Sequence, residues 1–185
     1  MKITEAQVAQ QVKALGNRRL DMVSDLAHEG ENDGIGAALL LALGSRETDM
    51  RNIAGDGGHG RGWLQIDDRF HREFLATHRG CDSGSFTPSH DSAAANGRVP
   101  TLTAGTIYAI GLLRANMRFA RSNGVPEAKV LRFAVAAYNA GAAGALAGLE
   151  EGDVDGRTAG CDYSKDVFAR KAAIARILER MSVPA

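Results

Sequence analysis

Residues 45–71 read SRETDMRNIAGDGGHGRGWLQIDDRFH, and three of the five acidic residues in this stretch could do chemistry together: Glu47, Asp56 and Asp67. Glu47 comes three positions after the apolar run of residues 35–44, whereas Asp56 lies within a run of glycines and Asp67 follows it. A carboxyl group held beside apolar side chains loses hydration, which raises its pKa and keeps it protonated near neutral pH. Glu47 is therefore a candidate proton donor.

Asp56 and Asp67 could act together with Glu47 in one reaction. Hydrolysis of a glycosidic bond uses one carboxylic acid to protonate the leaving oxygen and one carboxylate to activate water or attack the sugar. The glycine-rich loop could turn Asp56 or Asp67 back to face Glu47, and its glycines would allow a bulky polymer to approach. Taken singly, each has a simpler interpretation, as a solvated glutamate at a helix end or as an aspartate in a turn.

Two other side chains in this segment could contact a ligand. Trp63, the only tryptophan, offers a flat face for a sugar ring, although a core position is at least as compatible with a chain that is 5% aromatic. His59 lies among glycines, where a solvated loop histidine is the favoured interpretation. The glycines match neither GxxxxGK[ST] nor GxGxxG between a strand and a helix, so a phosphate-binding loop is not indicated.

Helices are expected to form the framework that positions these residues. Runs with apolar residues at helical spacing follow Thr4 and Asn17, both typical capping residues, and two more follow Thr103, a candidate cap, and Pro126. A final helix is predicted in residues 162–181. Its expected buried face consists of Val167, Ala172, Ile174, Ile177 and Leu178.

The segments between these helices divide into one buried helix and two irregular regions. Residues 35–46 are apolar on nearly every side, which predicts a central helix with Glu47 at its polar end. Residues 53–62 contain five glycines and predict turns or a short hairpin, followed by WLQI as a strand. Residues 79–100 predict a long surface loop. The expected fold is mainly α, with a buried central helix and a small β-hairpin or loop lobe.

The composition is that of one ordinary globular domain, with 185 residues, 44% of them hydrophobic. We expect two N-terminal helices in residues 1–33 and a core in residues 34–185. The 22 basic residues balance 22 acidic ones, which is not typical of a protein that holds nucleic acid by bulk charge. The longest apolar run, residues 35–44, is far shorter than the roughly 20 residues that cross a bilayer, so no stable membrane insertion is expected.

Cys81 and Cys161 are the only cysteines, and neither lies in a CxxC or Cys/His cluster. Two free thiols are favoured over a single long-range disulfide, and no metal site is predicted. The N-terminal sequence MKITEAQVAQQVKALGNRR lacks the apolar core and cleavage site of a secretory signal. We therefore expect synthesis in the cytoplasm without a signal peptide.

Several segments, in the same order, resemble the goose-type lysozymes. They are Glu47 after Ser45 and Arg46, GDGGHGRGWLQIDDRFH, TAGTIYAIGLL, AAYNAGA and DYSKDVFARK, and they span residues 44–171. Four spaced motifs are much more specific than one, although AYNAG alone is shared with soluble lytic transglycosylases. The resemblance implies a lysozyme-like helical fold and cleavage of the β-1,4 bond between N-acetylmuramic acid and N-acetylglucosamine in peptidoglycan, with no cofactor.

The resemblance also implies roles for particular residues. Glu47 matches the general acid, and Asp56 and Asp67 match the two acids that position or activate water. Because the family is associated with inversion at the anomeric carbon, we assign Asp67 as the water-activating base and Asp56 as its partner. Tyr163 is expected to orient Glu47. The residues that match substrate-cleft positions are His71, Tyr138, Asn139 and Tyr163.

The chain also departs from the family pattern. The segment between Glu47 and Asp56 is shorter than in vertebrate members, and residues 70–100 form a longer one. Two cysteines cannot form the multiple disulfides of secreted vertebrate members, which points to a bacterial or phage version. A phage endolysin released through a membrane lesion is the favoured setting, with a virion-associated enzyme or secretion-system effector as rivals.

Two other functions stay open at this point. A lytic transglycosylase needs a single Glu, because a hydroxyl of the sugar closes a 1,6-anhydro ring, but the two loop acids favour the hydrolase. A non-catalytic glycan-binding module would keep the fold, but the presence of Glu47 argues against it. Peptidoglycan glycan strands are the expected partner in each case, and no oligomeric state is predicted.

Overall fold

The structure is a computed structural model that describes residues 3–28, 33–73, 86–88 and 98–182. Six α-helices account for most of these residues: α1 (Glu5–Leu15), α2 (Asn17–His28), α3 (Ala37–Thr48), α4 (Leu102–Ser122), α5 (Glu127–Glu150) and α6 (Tyr163–Ser182). Five short strands lie between α3 and α4: β1 (Ala54–Gly55), β2 (Gly60–Arg61), β3 (Ile66–Asp67), β4 (Phe86–Pro88) and β5 (Arg98–Pro100). The predicted mainly α fold with a small β lobe is confirmed.

Helix α3 is enclosed because it has no polar face to turn to water. It packs against α6, α2 and α1, and its bounds place Glu47 in the last turn of the helix instead of just beyond residues 35–46. Helices α1 and α2 contribute to the same buried cluster as α3, while the expected single domain stays a prediction. The leucines of α3 that are fully buried are Leu39, Leu40, Leu41 and Leu43.

The helix starts follow the predicted capping chemistry in one case and depart from it in two. The Thr4 side chain accepts a backbone N–H of the first turn of α1, as predicted. Asn17 is the first residue of α2 and does not precede it. Thr101, not Thr103, caps α4, because the helix begins directly after β5 and the Thr101 hydroxyl accepts a first-turn N–H at 3.2 Å.

The glycine-rich segment forms a three-stranded antiparallel sheet in the order β1-β2-β3, so the predicted hairpin is present. The prediction of a strand over WLQI is wrong, because residues 62–65 form the turn between β2 and β3 and only Ile66 is in a strand. Trp63 and Leu64 are both fully buried, which a strand with one solvated face would not produce. Gln65 has a positive φ of 48°, which also breaks a strand.

The predicted surface loop at residues 79–100 contains two short strands. Strands β4 and β5 pair antiparallel with Thr87 opposite Val99, so the loop prediction is wrong for these two segments. The rest of that loop lies outside the described residues, as does Cys81. Cys161 is a free, exposed thiol.

Helix α5 is interrupted at Gly141, whose φ of 71° and ψ of 158° are not helical. By length and composition alone, α5 could cross a membrane. Buried core helices meet the same criterion, and 39% of the relevant stretch is buried within this fold. Because α5 packs on α4 and α6, its apolar residues serve the core.

The predicted buried face of α6 is largely present. Ala172 is exposed, contrary to the prediction, and Ala173 is buried in its place, because positions 167, 170, 173/174 and 177 share one helical face. Of the other predicted members, Val167, Ile174 and Ile177 are buried and Leu178 is half-buried.

Trp63 is a core residue between α3 and α4. A Cβ atom placed on Gly44 would lie 2.3 Å from Cε3 of the indole ring, and one on Gly105 would lie 3.3 Å from its Nε1. The ring is fully buried, so it is not available as a platform for a sugar. Glycine at position 44 is what allows the β lobe to dock on α3.

Substitution Gly44→Ala should therefore destabilise the protein. The added methyl overlaps the indole ring, and overpacking of this kind costs about 1–3 kcal/mol of unfolding free energy. Gly111→Ala in α4 is the matched control, because its Cβ would meet no atom within 4 Å. The control should stabilise by about 0.5–1 kcal/mol, since alanine favours a helix. Urea unfolding measures both, and equal effects would contradict the packing described for Trp63.

Candidate active site

Glu47 lies half-buried in the last turn of α3, where the Tyr163 hydroxyl donates a hydrogen bond to its Oε1. Burial raises the pKa of Glu47 above its usual value, because the charged form loses hydration. The Tyr163 hydrogen bond and the nearby Arg46 favour the charged form and act in the opposite direction, but burial outweighs them. This environment suits a carboxyl group that keeps its proton until a reaction removes it.

Tyr163 is buried at the first position of α6, and an acidic side chain fixes the start of that helix. Burial raises the pKa of Tyr163 well above its usual value, so the hydroxyl stays a donor to Glu47. Asp155, which is fully buried, accepts both the backbone N–H and the hydroxyl of Ser164 at 2.7 Å. Arg132 pairs with Asp155 at 3.3 Å, so this carboxylate is compensated as well as hydrogen-bonded.

A second polar network holds the end of α3 against α6. Arg170 donates through Nη1 to the carbonyl and the hydroxyl of Ser45, both at 2.8 Å, and through Nε to Asp166 at 2.7 Å. Asp166 also accepts from Arg46 at 3.0 Å. The two residues that precede Glu47 in α3 are therefore tied to α6.

Asp56 and Asp67 are brought together by Arg69, which the sequence analysis did not single out. Nη2 of Arg69 lies 2.5 Å from Oδ2 of each carboxylate. The side chain of Asp56 is 64% exposed, whereas that of Asp67 is 24% exposed. Hydrogen bonding to Arg69 holds the pKa of Asp67 below its usual value. The available signal was an arginine two positions after a candidate acid.

The neighbouring Asp68 belongs to a separate ion-pair cluster. Its carboxylate contacts Nδ1 of His59 at 2.8 Å and Nη2 of Arg61 at 3.0 Å. The His59 side chain is 49% exposed, as a solvated loop histidine would be, but it also has a partner within the β lobe.

A groove of about 550 Å³ lies beside the β lobe and against α4 and α5. Four predicted site residues line it, together with Phe70, Tyr108 and Asn116, which the sequence analysis missed. Phe70 is largely exposed at this groove, as an apolar contact for a bound chain would be. The four predicted lining residues are Asp67, His71, Tyr138 and Asn139.

His71 and Tyr108 form a pair in this groove. The Tyr108 hydroxyl and Nδ1 of His71 are hydrogen-bonded, and the rings meet edge to face with centroids 5.0 Å apart. Burial lowers the pKa of His71, and the charge of Asp67 opposes that shift. The lowered pKa favours the uncharged imidazole of His71 near neutral pH, which can form hydrogen bonds without carrying a charge.

Tyr138 and Asn139 have structural hydrogen bonds as well as positions in the groove. The Tyr138 hydroxyl donates to the Leu64 carbonyl at 2.9 Å, which ties α5 to the β lobe. Burial and then the charge of Glu47 raise the pKa of Tyr138, which lines the groove, whereas Glu47 itself is not one of the residues that line it. Asn139 accepts the backbone N–H of Ala159 at 2.8 Å.

The predicted residues thus form two clusters, one around Glu47 and Tyr163 and one around Asp56 and Asp67. Within the ranges that the structure describes, no hydrogen bond or ion pair joins Glu47 to either aspartate. Among those same residues, no three His, Cys, Asp or Glu side chains are grouped so that they could hold a metal ion.

Loss of the Tyr163 hydroxyl should raise the pKa of Glu47 further, because the hydrogen bond favours the charged carboxylate. A ¹³C NMR titration of the Glu47 carboxyl in Tyr163→Phe measures this shift. Tyr108→Phe is the control, since that hydroxyl contacts His71, and it should leave the titration unchanged. A lower Glu47 pKa in Tyr163→Phe would contradict the assignment.

Substitution Glu47→Gln should stabilise the protein at pH 7 and leave its stability unchanged at pH 3. The raised pKa means that folding favours the protonated form, so stability is lost as pH rises from the unfolded pKa through the folded one. Glutamine removes that cost, which amounts to about 1.4 kcal/mol for each unit by which the pKa is raised. Thermal unfolding at both pH values measures the difference. A destabilised variant at pH 7 would contradict the burial cost.

Comparison of the chain with protein-family models found no match, and no curated protein matched it at a significant level. The chemistry of this site therefore has to be judged from the positions and charges of its own residues.

Proposed function

We propose that the protein is a peptidoglycan hydrolase that cleaves the β-1,4 bond between N-acetylmuramic acid and N-acetylglucosamine, in the manner of the goose-type lysozymes. One observation carries the proposal: the surroundings of two carboxyl groups drive their pKa values apart. Burial raises the pKa of Glu47, while Arg69 lowers that of Asp67. A protonated acid and a charged carboxylate in one enzyme are the two components that glycoside hydrolysis uses.

In the proposed reaction, Glu47 gives its proton to the leaving glycosidic oxygen. The Tyr163 hydroxyl orients the carboxyl and then stabilises the carboxylate that forms, as its hydrogen bond favours the charged state. Asp67, with Asp56 as its partner, directs a water molecule to the opposite face of the anomeric carbon and accepts its proton. The hydroxyl so delivered gives an inverted product, as in enzymes that place water between sugar and base.

The groove supports a polymeric substrate. Its volume of about 550 Å³ and its open course past the β lobe suit a segment of glycan chain. His71, Tyr138 and Asn139 would contact that chain, and Phe70 would offer an apolar surface to a sugar ring.

A lytic transglycosylase is the second candidate, and the charge arrangement of the β lobe is the observation that favours it. Both loop carboxylates are bound by Arg69, and neither contacts Glu47. In that reaction the 6-hydroxyl of the muramic acid attacks its own anomeric carbon, so Glu47 suffices and no water needs a base. The separated pKa values of Glu47 and Asp67 favour hydrolysis over this alternative.

A non-catalytic glycan-binding module is supported least. Binding would not require a carboxyl group at the end of the most buried helix, where it costs stability. Such costs are typical of sites in which the perturbed group performs a reaction.

Digestion of purified peptidoglycan in ¹⁸O-labelled water tests the proposal. The expected products are reducing ends that carry one labelled oxygen. Glu47→Gln should lower the rate by about 100-fold or more, which is the usual contribution of a general acid. Asp67→Asn should lower it more than Asp56→Asn. Glu150→Gln, an exposed glutamate at the end of α5, is the control and should retain the full rate.

The same digestion separates the alternatives. Unlabelled 1,6-anhydro products would show that the protein is a lytic transglycosylase and not a hydrolase. Negligible and equal rates in the parent protein and Glu47→Gln would leave only the binding module.

A further inference from the structure

We propose that Arg69 is a positioning residue that joins Asp56 and Asp67 into one charged unit at the edge of the groove. The proposal rests on the proposed function, in which these two acids direct water. It adds a residue to that site and gives it a distinct role, since Arg69 acts through the two carboxylates and not on the glycan.

Arg69 forms a short ion pair with each of the two acids. Its Nη2 lies 2.5 Å from Oδ2 of Asp56 and 2.5 Å from Oδ2 of Asp67, so these two oxygens can be no more than about 5 Å apart. Nε donates to Oδ1 of Asp67 at 3.0 Å, and the backbone N–H of Arg69 donates to the same oxygen at 2.8 Å. Arg69 is thus fixed on Asp67 and reaches across the lobe to Asp56.

The contact has to overcome both charge repulsion and local flexibility. Two carboxylates at this separation repel each other unless a cation lies between them. Asp56 has a positive φ of 49°, which is unfavourable for a residue other than glycine, and the residues on either side of it are glycines. The ion pair to Arg69 connects the side chain of Asp56 to the end of β3.

The other charged groups of the lobe serve different partners. Arg61 pairs with Asp68, and His59 also contacts Asp68 while its charge acts at longer range on Asp67. His71 lies close enough to Asp67 for their charges to interact, but burial lowers its pKa. Arg69 is therefore the cation that binds both carboxylates and that chiefly lowers the pKa of Asp67.

The test compares Arg69→Ala and Arg69→Lys with Arg121→Gln. Arg121 is a matched control, because it is 44% exposed against 45% for Arg69 and also binds a carboxylate, Glu127, at 2.7 Å. In a ¹³C NMR titration, Arg69→Ala should raise the pKa of Asp67, and Arg69→Lys should raise it less. The control should leave it unchanged. This measurement needs no enzymatic activity.

The second measurement is the pH dependence of peptidoglycan digestion. In Arg69→Ala the acid limb of the pH–rate profile should move to higher pH, because Asp67 takes up a proton more readily once the hydrogen bonds from Arg69 are lost. Added guanidinium at millimolar concentration should restore part of the rate in Arg69→Ala, but not in Glu47→Gln. Arg69→Lys, which keeps the charge, should lie between Arg69→Ala and the parent protein.

The outcomes separate this proposal from the proposed function. If the parent protein digests peptidoglycan and the acid limb of the pH–rate profile is the same in Arg69→Ala, the positioning role of Arg69 is overturned. The proposed hydrolase function is then unaffected. If the parent protein is inactive, the proposed function fails, and the titration alone decides whether Arg69 organises the two acids. An Asp67 titration that is the same in Arg69→Ala and the parent protein would overturn the proposal in either case.

Discussion

The burial of α3 is the constraint on which the rest of the structure depends. A helix that is apolar on all sides must be covered on all sides, and α1, α2, α6 and the Trp63 ring do so. This enclosure destabilises the charged form of Glu47, the one acidic residue in the last turn of α3, because its carboxylate cannot be fully hydrated there. The same packing that stabilises the fold therefore raises the pKa of the candidate acid.

The two halves of the site are held in place by different forces. On the helical side, Glu47 stands on a long buried helix, and Arg170 and Asp155 anchor the helix that carries Tyr163. On the lobe side, strands β1, β2 and β3 have two residues each, and the buried Trp63 docks the lobe on α3. Ion pairs connect the charged side chains of the lobe: Arg69 binds both Asp56 and Asp67, and Arg61 binds Asp68. The position of Glu47 thus depends on helix packing, whereas Asp56 and Asp67 are carried by a lobe that Trp63 docks and are joined to each other by an ion pair to Arg69.

Local patterns predicted the elements more reliably than the contacts between them. The cap at Thr4, the apolar run of α3 and the glycines of the β lobe each act over a few residues, so the chain itself reveals them. The strand predicted over WLQI failed because Trp63 and Leu64 both point into the core, which is a demand of the whole fold. The cap moved from Thr103 to Thr101 for a related reason, since β5 and its pairing with β4 determine where α4 can begin.

The sequence by itself determined that the protein is mainly helical, that one helix is buried, and that Glu47 lies at its end beside a glycine-rich lobe with two more acids. The family resemblance led us to expect that Tyr163 orients Glu47, but only the tertiary structure shows the hydrogen bond that spans these 116 positions. Only the tertiary structure decided that one guanidinium binds both Asp56 and Asp67. The physical reason is the sequence separation over which each kind of interaction acts. Helix periodicity and turn chemistry act between near neighbours, whereas a hydrogen bond or an ion pair depends on where distant segments are packed.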